Sequence, residues 1–456
     1  MFNGQTLLAQ AAVTDVGAQA ARFAELLLTP TGFIAAVAAF AAVGALLATQ
    51  RGSLLLGAFA VFLLSMMRSE SRFADNTLVQ PLESLRAFSR PVALLLFVLL
   101  AARLVLLPRG RRYRFLLAPA ICLLGFELYY LFMLGLFVDP ARAAFGTVSV
   151  CSVAIAVCLG FGRYLDDDAD PEALMKVFGL AGVGFILANM FQLLLGYSNA
   201  ILGGRLAGVS GNAQQLAATC CVFAIIACYY FSASRLGSVV RWTAAASIGI
   251  LGLFVLWSGS RTGAVCMALV LVTFFRARIG RLAIVLAIGS VILVAAASFF
   301  QESTFTTDRF LYGADTRTRV WLGAFDEFSR APLFGSIPES EDESLNLSES
   351  TYLRALALLG IIGGAMVAVL VATMAWTAFR VWVAGRRCPW LAPHADMVVS
   401  STAFMIVVNA AEGLMLGVLT IFVVFLYCIF AMAAYVTDSD REATAAEQLP
   451  DAAAMA

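Results

Sequence analysis

The chain is a succession of apolar runs, most of them about 15 to 24 residues long and set off by short polar turns. A run of that length makes a helix able to cross a hydrocarbon core of roughly 30 Å. Inside that core no water bonds exposed peptide groups, so only helices and closed barrels cross it. The runs lack the strict alternation of a lipid-facing barrel strand, which leaves helices. Composition agrees: 61% of the 456 residues are hydrophobic and 13% are charged, more apolar surface than a water-soluble core buries. The expected fold class is all-α, a polytopic membrane protein with about 12 to 14 transmembrane helices and one long, partly helical outer loop.

Spans are expected at about 32–49, 53–67, 91–107, 115–137, 145–162, 177–196, 217–233, 242–258, 263–275, 282–300, 352–376, 397–412 and 416–436. The segment 1–31 carries no positive charge ahead of its weak apolar patch, so no cleaved signal is expected and the first span should do the targeting. Residues 437–456 read as a disordered cytoplasmic tail. Arginine marks sidedness, because basic residues in short loops resist translocation. Clusters at Arg109–Arg114, Arg276–Arg281 and Arg380–Arg387 fall on one side with Arg51, Arg235 and Arg241, and that side is expected to be the cytoplasm. Residues 68–90, Arg142, Arg205, Arg261 and the segment 301–350 then face outward. No internal repeat of the kind found in many transporters is visible.

Several function classes are excluded at this stage. A net charge of +1 without a basic stripe gives nucleic acid no purchase. Of the nine cysteines only Cys388 lies in a polar segment, and no CxxC spacing occurs, so neither disulfides nor a zinc site is expected. The acidic turn LDDDADPE lacks the spacing of a calcium loop. The one histidine, His394, is assigned to a cytoplasmic loop. No metal or cofactor is expected.

The outward arginines need a reason. Arg261, in LWSGSRTGAVCM, sits in a very tight turn among small and hydroxylated residues, where a guanidinium fork suits phosphate oxygens; it can equally snorkel to lipid headgroups. Arg205, in the Gly-rich loop SNAILGGRLAGVSGNAQQL, has Asn212 and Gln214 nearby as neutral donors for sugar or phosphate; a lone surface arginine is the plainer reading.

The segment 301–350 spans about 50 residues, a length that marks functional or disordered loops. It holds a short helix over DTRTRVWLGAFDEFSRA, with Val320, Trp321, Ala324, Phe325 and Phe328 on one face, ended by PLFG. Most of its charges suit a solvated surface. Glu349 differs, because it directly precedes the next span: a position for a general base, or merely for a residue beside a helix cap. Glu127 and Glu412, within or at the ends of spans, are what a proton-coupled transporter would need.

The order of these segments resembles the O-antigen ligase and polymerase superfamily of bacterial inner-membrane glycosyltransferases. The matching stretches are the Gly-rich arginine loop with GNAQQLA, SGSRTG at the head of a helix, TRVWLGAFDEFSRAPLFG, and SESTYLRALALLGIIGG, all within about residues 198–365. The resemblance implies a lipid-diphosphate donor and a multi-pass inner-membrane location, with the active site facing the periplasm. Its partners would be undecaprenyl-diphosphate-linked oligosaccharides, the lipid bilayer and a chain-length regulator protein. It implies Arg205 and Arg261 as the arginines that hold the lipid diphosphate; with Glu349, read as the base from its position, they are the expected catalytic residues. The expected substrate-binding residues are Arg317, Arg319 and Trp321, which match the start of the loop helix, together with Asn212, Gln214, Tyr352 and Arg354. Ligases of the superfamily usually carry a histidine just before the YL that opens the helix after the long loop; here Glu349, Ser350 and Thr351 stand there. A polymerase of repeat units is therefore the expected member, with a ligase onto lipid A core or a flippase of lipid-linked sugars as alternatives.

Overall fold

A computed structural model describes residues 78–80, 82–106, 117–138, 140–166, 171–233, 237–276, 316–336, 350–415 and 420–453. The expected spans 32–49, 53–67 and 282–300, residues 167–170 of the LDDDADPE turn, and Glu349 lie outside the described residues.

The described chain is helical apart from one small hairpin. In order it forms α1 (Leu82–Leu106), α2 (Ala118–Phe137), α3 (Pro140–Asp166) and α4 (Pro171–Leu195). A single turn, Tyr197–Ala200, leads into the hairpin β1 (Ile201–Leu202) and β2 (Arg205–Leu206) and then a 3-10 turn, Gly208–Ser210. There follow α5 (Ala213–Ser232), α6 (Ser238–Ser258), α7 (residues 261–276), α8 (Thr316–Arg330), α9 (Thr351–Arg387), α10 (Ala392–Ala411) and α11 (Ile421–Ala453). Seven of these helices, among the described residues, are long and apolar enough to cross a membrane: α2, α4, α5, α6, α9, α10 and α11. The protein is an all-α, multi-pass membrane protein.

Side-chain bonds tie the helix ends into two groups. At one end the Val79 N–H donates to Gln192 Oε1 (2.9 Å), and the Thr351 hydroxyl donates to Asn409 Oδ1 (2.6 Å). At the other, Arg276 pairs with Asp396 (2.6 Å), Arg387 with Asp440 (3.6 Å), and the Tyr229 hydroxyl lies 3.0 Å from His394 Nε2. Arg205 and Arg261 belong to the first end; Arg241, Arg276 and Arg387 to the second. Exposed aromatic side chains mark both levels, with Trp257 and Tyr197 at the first end and Trp242, Trp376 and Trp390 at the second, as expected where a bilayer meets water.

The core is built on α11. From Ile421 to Ala434 every side chain is at most 2% exposed, and Phe425 meets Phe178 of α4 edge to face, with ring centroids 6.1 Å apart. A helix that is apolar all round and fully enclosed is a bundle axis rather than a lipid-facing surface.

The helix after the long loop is not continuous. Within α9, Gly360 adopts φ 64°, ψ −158°, which only glycine takes up at low cost. Into this break fits the turn that follows α8. The Ile361 N–H donates to the Pro332 carbonyl (2.8 Å) and the Ser336 N–H to the Ala357 carbonyl (3.0 Å), satisfying backbone groups that the break leaves without helical partners. Gly335, at φ 74°, faces it so closely that a Cβ on Gly335 would strike the Leu358 backbone, and one on Gly360 would strike Leu333. PLFG therefore ends α8 and also docks it onto α9.

Three sequence expectations change. The span expected over 352–376 starts at Thr351, breaks at Gly360 and continues to Arg387, because a break costs little where another segment supplies the hydrogen bonds. The tail from 437, expected to be disordered, is helical to Ala453. It continues a fully packed helix, Thr437 bonds back to the Ala433 carbonyl (2.9 Å), and Asp440 meets Arg387 and Cys388. His394 lies in the first turn of α10 and not in a loop, buried beside Tyr229 and Tyr435.

Candidate active site

The site end is built from turns that hold two arginines. In the hairpin, Leu202 pairs with Arg205 and Ile201 with Leu206 across the turn at Gly203 and Gly204. The 3-10 turn is pinned to α4, where the Asn189 carboxamide oxygen accepts from the Val209 N–H (3.0 Å). Asn212 then caps α5: its side chain accepts from the Gln214 N–H (2.8 Å) and the Gln215 N–H (3.3 Å). An asparagine there satisfies two otherwise orphaned donors. Its oxygen is a structural acceptor, and its role at the site is to fix where α5 begins.

Arg205 reaches from the hairpin to the end of α6. Its Nε donates to the Ser258 carbonyl at 2.7 Å, which uses the inner nitrogen and so sets the direction of the guanidinium fork. From Ser258 the chain turns at Gly259 and starts α7 at Arg261. Ser258 Oγ accepts from the Ser260 N–H (3.2 Å), and Ser260 Oγ accepts from the Gly263 N–H (3.1 Å) as the cap of α7. Arg261 thus occupies the first position of a capped helix and is exposed. Helix N-termini carry partial positive charge, which adds to that of the guanidinium. The start of α7 lies hard against α5, since Gly263 faces Ala217 with no room for a side chain and Cys221 Sγ approaches the Gly263 carbonyl (3.6 Å).

A second junction adjoins the first. Ser350 caps α9, its Oγ accepting from the Leu353 N–H at 3.5 Å. Thr351 bonds to Asn409 Oδ1 and, more weakly, to the Glu412 carbonyl (3.3 Å), while the Met415 N–H also donates to Asn409 Oδ1 (3.1 Å). The Tyr352 hydroxyl donates to the Ile406 carbonyl (2.7 Å). Glu412 is 8% exposed and lies within electrostatic reach of Cys266, in the second turn of α7. Glu412 therefore lies near both helices, its carbonyl bonded to Thr351 and its carboxyl group within electrostatic reach of Cys266 in α7.

The residues expected from sequence thus divide. Arg205 bonds to the turn that leads into Arg261, and Asn212 and Gln214 stand at the start of α5, which packs against that turn through Ala217 and Gly263. Tyr352 is used to fasten α9 to α10, and half-buried Arg354 lies in the first turn of α9. Arg317 and Arg319 fall in the first turn of α8, four and two residues before Trp321, which is 43% exposed. Sequence reasoning missed Thr351 and Asn409, which are ordinary polar residues at span ends; Glu412 was visible as a buried acid but not as a neighbour of α7. Glu127, fully buried in α2, lies within reach of Tyr427 in α11, away from these turns. Among the described residues no group of three or more His, Cys, Asp or Glu side chains converges as metal ligands would. No protein-family model matches the chain, and no curated protein matches it.

Proposed function

We propose that the chain is a glycosyltransferase that joins undecaprenyl-diphosphate-linked oligosaccharide repeats into a surface polysaccharide on the periplasmic face of the bacterial inner membrane. The observation that supports this reading is the bond from Arg205 Nε to the Ser258 carbonyl, which ties one of the two arginines to the short turn that leads into the other. Such a pair suits a diphosphate better than a single phosphate, because two forks can grip adjacent phosphoryl groups.

In the reaction the acceptor hydroxyl oxygen attacks the anomeric carbon of the donor as the bond from that carbon to the diphosphate oxygen breaks. Arg205 and Arg261 stabilise the negative charge that grows on the leaving diphosphate. The hydroxyl proton passes to a carboxylate; Glu349, one peptide bond before the cap of α9, is the assigned base. Buried Glu412 places a carboxyl group near the second turn of α7. Trp321 and the first turn of α8 flank the approach, held there by the docked turn at Gly360. The only histidine is at the opposite end of the bundle, which favours a polymerase over a ligase that depends on histidine.

The test is turnover by purified protein given lipid-linked repeat units, without an ion gradient or nucleotide. Arg261→Ala and Arg205→Ala are expected to lower polymer formation by about 10²- to 10³-fold, the usual effect of removing a group that stabilises a developing anion. A wild-type ladder of chain lengths from Arg261→Ala refutes the assignment. Movement of intact substrate without bond formation replaces it with transport.

A further inference from the structure

Far from the two arginines, a lateral groove of about 420 Å³ opens between α4, α5 and α6. It runs along α6 from Val239 to Leu251, about 18 Å at the helical rise, which is close to the thickness of one leaflet. Its floor is made where α4 carries glycine, so that the rings of Phe223 and Tyr230 lie directly against the helix at Gly182 and Gly179. Its rims carry Leu180 and Val239, exposed on the faces the bundle turns outward. Val183, Ile186, Ile226 and Leu251 complete an almost wholly apolar wall.

One end of the groove is different. Lys176 stands there, the only lysine in a sequence that otherwise uses arginine for every basic side chain. Tyr230, Thr243 and Ser247 are the other polar contributors, and no carboxylate lines the groove among the described residues. Trp242, 76% exposed, marks this level as the membrane boundary. Lys176 and Leu195 are at opposite ends of α4, separated by ~28 Å of helix, so the groove is distinct from the arginine site.

We propose that this groove is a binding site for an anionic phospholipid of the leaflet opposite the arginine site, with one acyl chain along α6 and the headgroup phosphate at Lys176. An apolar slot one leaflet long fits an acyl chain, and a single cation at its water end fits a headgroup anion. A flexible ammonium on a long stem reaches a phosphate at the interface while its methylenes stay against the apolar wall. The site is independent of glycosyl transfer.

Native mass spectrometry of the full chain, released from mixed micelles containing phosphatidylglycerol and phosphatidylethanolamine, tests it. The wild type is expected to retain phosphatidylglycerol about fivefold better, the ratio that about 1 kcal/mol for one basic side chain gives. Lys176→Glu should abolish that preference without altering the unfolding temperature in detergent. Ser247→Trp, which fills the groove, should lose both lipids, and Ala244→Leu, a smaller change that keeps the test open where tryptophan disturbs folding, should weaken retention. Leu253→Trp, exposed on α6 away from the groove, should retain lipid as the wild type does. Equal retention of the two lipids by the wild type, undiminished retention in both filled variants, or displacement of phosphatidylglycerol by an equimolar polyprenyl phosphate overturns the proposal.

Discussion

Helices α5 and α6 are consecutive, antiparallel, of nearly equal length and both strongly apolar, yet they live in different surroundings. Over the membrane-crossing part α5 is 83% buried and α6 only 22%. Neither hydropathy nor side-chain size separates them; what each packs against does. Buried α5 encloses Phe223, Ile225, Ile226 and Tyr229 together with Ala217, Ala218, Cys220, Cys221 and Ala224, whereas α6 exposes Val239, Trp242, Leu253, Leu256 and Trp257. Lipid tails are as apolar as leucine, so hydrophobicity alone does not decide which helix is enclosed. Small residues on α5 serve where a neighbouring helix comes closest, as Ala217 does against Gly263. Both helices also meet the candidate site, α5 by its capped start and α6 by the carbonyl that holds Arg205. One is the wall behind the site and the other its exposed edge.

Substitutions that exchange these two characters test the contrast. Gly263→Leu drives a side chain into Ala217 of α5 and should be the most damaging, about 3 kcal/mol or more by equilibrium unfolding in detergent, as overpacking at a helix seam requires. Ala224→Leu, in the middle of α5, should cost about 1–3 kcal/mol on the same assay. Asn212→Ala removes the cap of α5 and should cost about 1 kcal/mol; it should also lower turnover, whereas Asn212→Ser should restore most of the stability. Leu253→Ala on the lipid face of α6 should change stability by less than about 0.5 kcal/mol. Equal losses from Ala224→Leu and Leu253→Ala would show that α5 is no more enclosed than α6.

Much of this architecture can be read in the sequence, and the exceptions have physical causes. Apolar runs locate helices because a spanning segment must satisfy its own backbone, so α2, α4, α6 and α10 lie close to where run length places them. What run length does not encode is which helix faces lipid, and α11 looks no different from α6 until its neighbours are known. The break at Gly360 was hidden because glycine is ordinary in membrane helices and the partner that makes the break tolerable, Pro332–Ser336, lies far away across the loop. The tail after Val436 was misjudged because its composition suits solvent, while its order comes from continuing α11 and from Asp440 meeting Arg387. At the site, Arg205 and Arg261 stood out as arginines on the wrong side of a charge rule. The reach of Arg205 to Ser258 depends on a hairpin only six residues long, Ile201–Leu206, whose fold no periodicity signals.

The paired glycines at 335 and 360 also constrain how such a chain can change over time. A Cβ on Gly335 would strike the backbone at Leu358 and Leu359, and one on Gly360 the backbone at Leu333 and Gly335, so neither position tolerates alanine while the two segments stay docked. A lineage that replaces one must release the loop helix from α9 before the replacement becomes harmless. Divergence is therefore expected to keep both glycines or to lose both together with the docking of α8, and the two sites should vary as a unit although 24 residues separate them in sequence.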